Sequence, residues 1–96
     1  MRHLNEIKSR LAKQKERLIQ EYPIKSIGIF GSFARGQQTQ ESDVDIMVEV
    51  SGDIGIRFID LADELESIVG IRVDVVSKNG IKEKYLKSIN SEIIYV

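Results

Sequence analysis

Apolar and polar positions follow two different spacings along the chain, and each spacing predicts a different kind of element. Before Pro23, apolar side chains recur at helical spacing, which predicts an amphipathic helix that ends near this proline. Those positions are Leu4, Ile7, Leu11, Leu18 and Tyr22. The isoleucine-rich run Ile24–Phe30 then predicts a short buried strand that ends at Gly31.

The middle and end of the chain predict two more strands and two more helices. Residues 32–42 turn polar, which indicates a short helical turn and an exposed loop. Residues 43–50 alternate, with Val44, Ile46, Val48 and Val50 on one face and Asp43, Asp45, Met47 and Glu49 on the other. A helix over 54–69 capped by Gly70, a strand over 71–77 and a helix over 81–89 follow. Residues 92–96 fit a closing strand or a continuation of that helix.

Strands interleaved with helices predict a small sheet with helices packed on it, an α/β fold of the α+β type. We expect a single domain over residues 1–96, because no linker, repeat or low-complexity stretch divides the chain.

Charge and composition narrow the function classes. The 96 residues hold 14 Lys and Arg against 15 Asp and Glu, which argues against broad adhesion to nucleic acid or membrane. Basic residues on the first helix could touch nucleic acid, but a solvated face is favoured. Without cysteine, disulfides and Cys-type zinc sites are excluded. The sequence shows no signal peptide or transmembrane run, so a soluble, cytoplasmic protein is expected.

Three aspartates are the strongest candidates for chemistry. Asp43 and Asp45 project from the same face of a strand, where they repel each other unless a cation such as Mg²⁺ lies between them. The alternative is the solvated face of an edge strand. Asp74 faces away from the core on the third strand, and it joins the pair if that strand lies beside the second. Three such carboxylates would suit two metal ions, although Asp74 could also be a structural residue at a strand end.

The turn after the first strand is a candidate phosphate contact. Gly31 lets the backbone approach a phosphate closely, Ser32 adds a hydroxyl donor and Arg35 adds a positively charged guanidinium group. A Gly-Ser turn alone is weak evidence, since many turns contain one.

Spacing makes the combination specific. Gly31-Ser32, ten residues, then Asp43-Val44-Asp45 form the pattern Gly-Ser-x10-Asp-x-Asp, and Asp74 follows on a later strand. With Gly-Ser-Phe-Ala-Arg-Gly and Ser-Asp-Val-Asp-Ile, the chain from about Ile24 to its end closely resembles the minimal nucleotidyltransferase (MNT) family of the DNA polymerase β superfamily. The resemblance implies a small mixed sheet flanked by helices, a polymerase β-like fold, and transfer of a nucleoside monophosphate from a nucleoside triphosphate.

The same resemblance implies roles for individual residues. Asp43 and Asp45 would hold two Mg²⁺ ions, while Asp74 would ligate one of them and help to deprotonate the attacking hydroxyl. The nucleotide-binding set that it implies is Gly31, Ser32, Arg35 and Ser42.

Family membership would also imply a partner. MNT proteins are commonly encoded with a HEPN-domain toxin, which they bind as antitoxins and modify by adding AMP from ATP to a tyrosine. We therefore expect a hetero-oligomer with a HEPN ribonuclease, and neither membrane nor direct nucleic-acid binding. One alternative is an inactive MNT module that neutralises its partner by binding alone. Another, a small-molecule or RNA nucleotidyltransferase, is disfavoured because no acceptor domain follows the third strand.

Overall fold

A computed structural model describes residues 3–96, so the first two residues of the predicted 1–96 domain lie outside the described residues. Helices and strands alternate in the predicted order, and a short closing strand forms at the end of the chain. The elements are α1 Leu4–Glu21, β1 Ile24–Phe30, α2 Ser32–Arg35, β2 Val44–Val50, α3 Arg57–Val69, β3 Val73–Ser77, α4 Glu83–Asn90 and β4 Ile94–Tyr95, with a 3₁₀ turn at Lys78–Gly80.

The four strands of the described residues form one mixed sheet in the order β3-β2-β1-β4. β1 pairs antiparallel with both β2 and β4, whereas β2 and β3 run parallel. A parallel pair needs a long crossover connection, which α3 supplies between these two strands. The predicted α/β fold with a small mixed sheet is therefore confirmed.

The hydrophobic core lies between one face of the sheet and the two long helices, α1 and α3. Both helices contribute a stripe of fully buried side chains, as the helical spacing of apolar positions predicts. The sheet contributes the alternating residues of its central strands. The buried set includes Ile7, Leu11, Leu18, Ile27, Ile29, Val44, Ile46, Val48, Leu61, Leu65 and Val69. Since side chains alternate along a strand, Asp45 projects from the opposite face.

That opposite face is partly covered by the C-terminal segment, residues 91–96. Gly28 lies on it, and a Cβ built there would be 2.4 Å from Cδ1 of Ile93 and 3.4 Å from Cδ1 of Tyr95. Met47 is the partner of Gly28 in β2 and is only 2% exposed, although it shares a face with Asp45. The C-terminal segment thus closes one end of the face that carries the aspartates.

Most predicted boundaries shift by one or two residues, and one shifts by three. The helix expected from residue 54 begins at Arg57, because Gly55 has a φ of 53°, which a right-handed helix does not allow. Its predicted cap is confirmed: Gly70 has a φ of 84° and donates its N–H to the carbonyl of Glu66 at 2.8 Å.

In residues 3–96, none of the helices has the length and apolar character that crossing a membrane requires.

Candidate active site

Parallel pairing of β2 and β3 brings Asp45 and Asp74 side by side. The two residues are register partners, so their side chains project from the same face of neighbouring strands. The sequence placed Asp74 with the other aspartates only on the condition that the third strand lies beside the second, and the structure meets that condition. Asp43 directly precedes β2, two residues from Asp45.

The electrostatic environment of Asp45 includes the charges of both neighbouring aspartates. Partial burial is the main cause that raises the pKa of Asp45, followed by the negative charges of Asp74 and then Asp43. Arg35 opposes this increase in the pKa, and Glu92 adds to it. Asp45 is therefore a half-buried carboxylate among like charges, which is the environment that a bound cation would relieve.

Asp43 makes one weak ion pair at the start of β2. Its Oδ1 lies 3.7 Å from Nε of Arg72, in a pair whose arginine side chain is 84% exposed. Exposed pairs of this kind contribute little to stability, so Arg72 leaves Asp43 available to another cation. A cleft of about 500 Å³ opens beside it, lined by Phe33, residues 39–43 and residues 71–72.

The donor chemistry of the aspartates fits Mg²⁺, which prefers hard oxygen ligands and commonly uses one or two carboxylates plus phosphate oxygens. The side chains are not already gathered, however: within residues 3–96, no three His, Cys, Asp or Glu side chains form a group that could hold a metal ion. Ligation by Asp43, Asp45 and Asp74 therefore stays a prediction, and it requires the side chains to close around the ion.

Gly31 brings the predicted phosphate loop directly against Asp45. It has a φ of 75°, and a Cβ at this position would lie 2.0 Å from Oδ2 of Asp45. Only glycine combines this backbone conformation with so close an approach. The four-residue helix α2 starts at Ser32 and ends at Arg35, whose N–H donates to the Gly31 carbonyl at 3.1 Å. Gly31, Ser32 and Arg35 thus form one compact turn beside the aspartates.

Glu92 joins this turn, although no pattern in the sequence points to it. Its Oε2 accepts hydrogen bonds from the Gly31 N–H at 3.0 Å and from Nη1 of Arg35 at 2.8 Å. From the sequence, Glu92 was expected in a closing strand or in a continuation of the last helix. A contact between residues 61 positions apart leaves no local pattern that could reveal it.

Ser42, the fourth predicted nucleotide-binding residue, is hydrogen-bonded to Thr39 in the loop before β2. Its Oγ accepts the Thr39 N–H at 2.9 Å, and its own N–H donates to the Thr39 carbonyl at 3.2 Å. Ser42 closes the turn that leads into Asp43 and borders the cleft beside it. Its proposed contact with nucleotide stays a prediction.

Comparison with known proteins gives a consistent family assignment. Residues 11–96 match the nucleotidyltransferase domain family. A Methanocaldococcus jannaschii protein with the provisional name of protein adenylyltransferase is 46% identical, with 100% of both chains covered. The protein adenylyltransferase MntA of Thermococcus cleftensis is 38% identical, over 97% of this chain and 95% of its own.

Solved structures agree with the fold. A solved structure that is provisionally assigned as a minimal nucleotidyltransferase superposes with a TM-score of 0.75 at 27% identity. The match covers 93% of this chain and 94% of the other. A complex of a tri-AMPylated Shewanella oneidensis HEPN toxin with its MNT antitoxin contains a chain that matches with a TM-score of 0.68 at 21% identity. This match covers 93% of this chain and 70% of the other, and it supports the fold alone.

These relatives indicate one family, and the sheet topology and the paired aspartates beside a glycine turn are consistent with it. The chain belongs to the nucleotidyltransferase domain family, as an enzyme of the minimal nucleotidyltransferase type.

Proposed function

We propose that the chain is a cytoplasmic antitoxin that transfers AMP from ATP to a tyrosine hydroxyl of a cognate HEPN ribonuclease toxin, in a Mg²⁺-dependent reaction. The observation that carries this proposal is the register pairing of Asp45 with Asp74, next to a glycine turn that contacts Asp45. Residues 1–96 act as one nucleotidyltransferase domain in this proposal.

The reaction forms one bond and breaks another at the α-phosphorus of ATP. The acceptor oxygen attacks that phosphorus, the bond to the bridging oxygen of the β-phosphate breaks, and pyrophosphate leaves. Asp74 accepts the hydroxyl proton, a role that suits its exposed position on the outer strand. The Gly31-Ser32 turn and Arg35 hold the triphosphate, and Ser42 borders the nucleotide from the cleft beside Asp43.

Asp43, Asp45 and Asp74 are the residues that would hold two Mg²⁺ ions in this site. Bound there, the ions would neutralise the triphosphate and stabilise the attacking and leaving oxygens. Partial burial first, and then the charges of Asp74 and Asp43, raise the pKa of Asp45, and a cation bound beside these carboxylates would offset both effects, which supports this assignment.

The HEPN partner is proposed from similarity and from the shape of the site. One relative carries the name protein adenylyltransferase MntA, and one chain of the same fold was solved with an AMPylated HEPN toxin. The exposed Asp74 lies on an edge strand, which leaves room for an acceptor supplied by another protein. A hetero-oligomer of the two proteins follows from this arrangement.

The test is co-expression with the HEPN protein encoded beside it, followed by intact-mass analysis after incubation with ATP and Mg²⁺. The toxin should gain the mass of one or more AMP groups, and Asp43→Asn or Asp45→Asn should abolish the gain. Asp53→Asn is a matched control, since this exposed aspartate lies in the turn beyond the other end of β2. A folded Asp45→Asn protein that still modifies the toxin would contradict the site.

Neutralisation by binding alone is the second candidate. In this candidate the three aspartates keep their places on the sheet but take no part in neutralising the toxin. This function predicts that the chain inhibits its toxin without nucleotide, and that the Asp43→Asn variant inhibits the toxin as strongly as the wild type does.

A further inference from the structure

The carboxylate of Glu92 is held inside the site rather than in solvent. Glu92 lies between α4 and β4, and its side chain is 21% exposed. One oxygen, Oε2, accepts both the Gly31 N–H at 3.0 Å and a hydrogen bond from Nη1 of Arg35 at 2.8 Å. Charge-assisted hydrogen bonds of this kind are stronger than neutral ones. An anion of the chain itself therefore occupies a backbone donor and a guanidinium of the glycine turn.

These two donors are among those that the proposed function gives to the triphosphate. A phosphate oxygen and the Glu92 carboxylate cannot both take the same N–H at full strength, and two anions in contact repel each other. The neighbourhood is already negative, because the backbone of Gly31 lies against the carboxylate of Asp45. A triphosphate bound at this turn and Glu92 in its present position therefore compete for the Gly31 N–H and for the charge of Arg35.

We infer that Glu92 occupies part of the position of the triphosphate and competes with ATP, so that nucleotide binding displaces its side chain. This inference rests on the proposed function and concerns the same site. It makes Glu92 a residue that sets the affinity for nucleotide without contacting the reacting atoms. Its displacement also frees Arg35 to pair with a phosphate.

The helix that precedes Glu92 is lightly packed. The preceding helix α4 has no buried residue, and the following strand β4 has only two residues. Elements with few buried contacts open locally more easily than the core does. The residues after Glu92 stay anchored by Ile93, whose side chain covers Gly28, by the pairing of β4 with β1, and by the Val96 N–H, which donates to the Ile27 carbonyl at 2.9 Å. A rotation of the Glu92 side chain alone would release both donors while Ile93 stays in place.

The competition has a direct test in the nucleotide affinity of the full chain. Calorimetry with a non-hydrolysable ATP analogue and Mg²⁺ measures Kd for the wild type, Glu92→Gln and Glu92→Ala. The glutamine variant keeps a neutral acceptor for Gly31 but removes the negative charge, and we expect its Kd to fall roughly two- to tenfold. Glu92→Ala removes the competing group completely, and its Kd should fall at least as far. Glu16→Gln is the control, because this exposed residue lies on α1, across the sheet from the site.

A purely structural role for Glu92 predicts the opposite result. If Glu92 only held the turn in shape, Glu92→Ala would bind the analogue more weakly and Glu92→Gln would resemble the wild type, which would overturn the inference. Thermal unfolding of each variant confirms that the proteins compared are folded. If the wild type binds the analogue and neither variant binds it more tightly, the inference alone fails. If no variant binds it, the proposed nucleotide site is wrong as well.

Discussion

Asp45 and Asp74 are direct register partners across the parallel strands β2 and β3. Like charges opposite each other on neighbouring strands are destabilising, and here partial burial of Asp45 increases the cost. The pair is thus an arrangement that folding alone would not select. Such a cost is typical of sites whose function requires the charges to be close.

Neutralising either aspartate should therefore stabilise the metal-free protein while it abolishes transfer. The pKa of Asp45 is raised above its ordinary value, so the folded state binds a proton more tightly than the unfolded state does, and stability falls as pH rises through that pKa. Urea unfolding at pH 7 should show Asp45→Asn roughly 0.2–1 kcal/mol more stable than the wild type. The gain should disappear at a pH low enough to protonate Asp45.

The same measurement on Asp74→Asn and on the double variant tests whether the two residues repel each other. Both single changes remove one repulsion, so the double variant should gain less than the sum of the two. Strict additivity would show that the carboxylates do not interact in the folded protein.

Substitution of Gly31 should disable the site more severely than substitution of Gly36 in the same loop. Both glycines have positive φ, 75° and 69°, but a Cβ at Gly31 would meet Oδ2 of Asp45 at 2.0 Å, whereas one at Gly36 meets nothing within 4 Å. Gly36→Ala should cost about 1–2 kcal/mol from backbone strain alone. Gly31→Ala should lower the free energy of unfolding by more than this, because the added methyl group must also displace the Asp45 side chain. For the same reason it should weaken ATP binding at least tenfold.

Calorimetric ATP titrations and urea unfolding of both variants check this expectation. Equal losses of affinity in Gly31→Ala and Gly36→Ala would contradict the contact between Gly31 and Asp45.

Tyr22 should contribute a pH-dependent part of the stability through its hydroxyl. That hydroxyl donates to Glu64, which raises the pKa of Tyr22 to about 12, and the same bond is the main cause that lowers the pKa of Glu64. Tyr22→Phe should cost about 1 kcal/mol at pH 7, while it keeps the ring beneath the Arg57 guanidinium.

The pH dependence has a definite sign at each end. Because the pKa of Tyr22 is raised from 10.0, its contribution is complete below pH 10 and is lost as pH approaches 12. Because the pKa of Glu64 is lowered from 4.5, the contribution also declines as pH falls below that value. Unfolding free energies of Tyr22→Phe should lack the alkaline decline and should show a smaller acidic one, because Arg17 still lowers the pKa of Glu64. The exposed Tyr85→Phe should match the wild type throughout.

Gly28 should tolerate a methyl group only if Ile93 gives way. A Cβ at Gly28 would lie 2.4 Å from Cδ1 and 2.7 Å from Cγ1 of Ile93, so Gly28→Ala should cost about 1–3 kcal/mol through overpacking. Ile93→Ala removes both atoms, and it should restore part of that loss in the double variant. A double-mutant cycle by urea unfolding checks this, and the absence of coupling would show that Ile93 does not cover Gly28.

Local patterns were sufficient for the elements and for two of the aspartates. Alternation placed Asp45 away from the core, and the spacing to Gly31 marked the turn. Assigning Asp74 to the site required knowing that β3 lies beside β2. Periodicity along the chain does not reveal which strands are neighbours, whereas the sheet order does. The predicted start of α3 was wrong because the positive φ of Gly55 overrides the apolar spacing of that segment.

Two features of the site depend on contacts between distant parts of the chain. Gly31 was predicted to allow a phosphate to approach, yet the structure shows that Asp45 already requires a glycine there. Glu92 had no local signal, because its partners are Gly31 and Arg35, far earlier in the sequence. Likewise, Met47 lies on the face of the aspartates but is buried, and the C-terminal segment covers its register partner Gly28 on that face.

The position of β3 at the edge of the sheet affects which molecules can receive the nucleotide. No strand of the described residues lies beyond it, so Asp74 can be approached sideways along the plane of the sheet. Enclosed sites select acceptors by size, whereas an open flank places no upper limit on the bulk behind the attacking hydroxyl. Selectivity for an acceptor would then be decided by how well a second protein docks against this flank, and a mutation at that contact could redirect the enzyme without altering its chemistry.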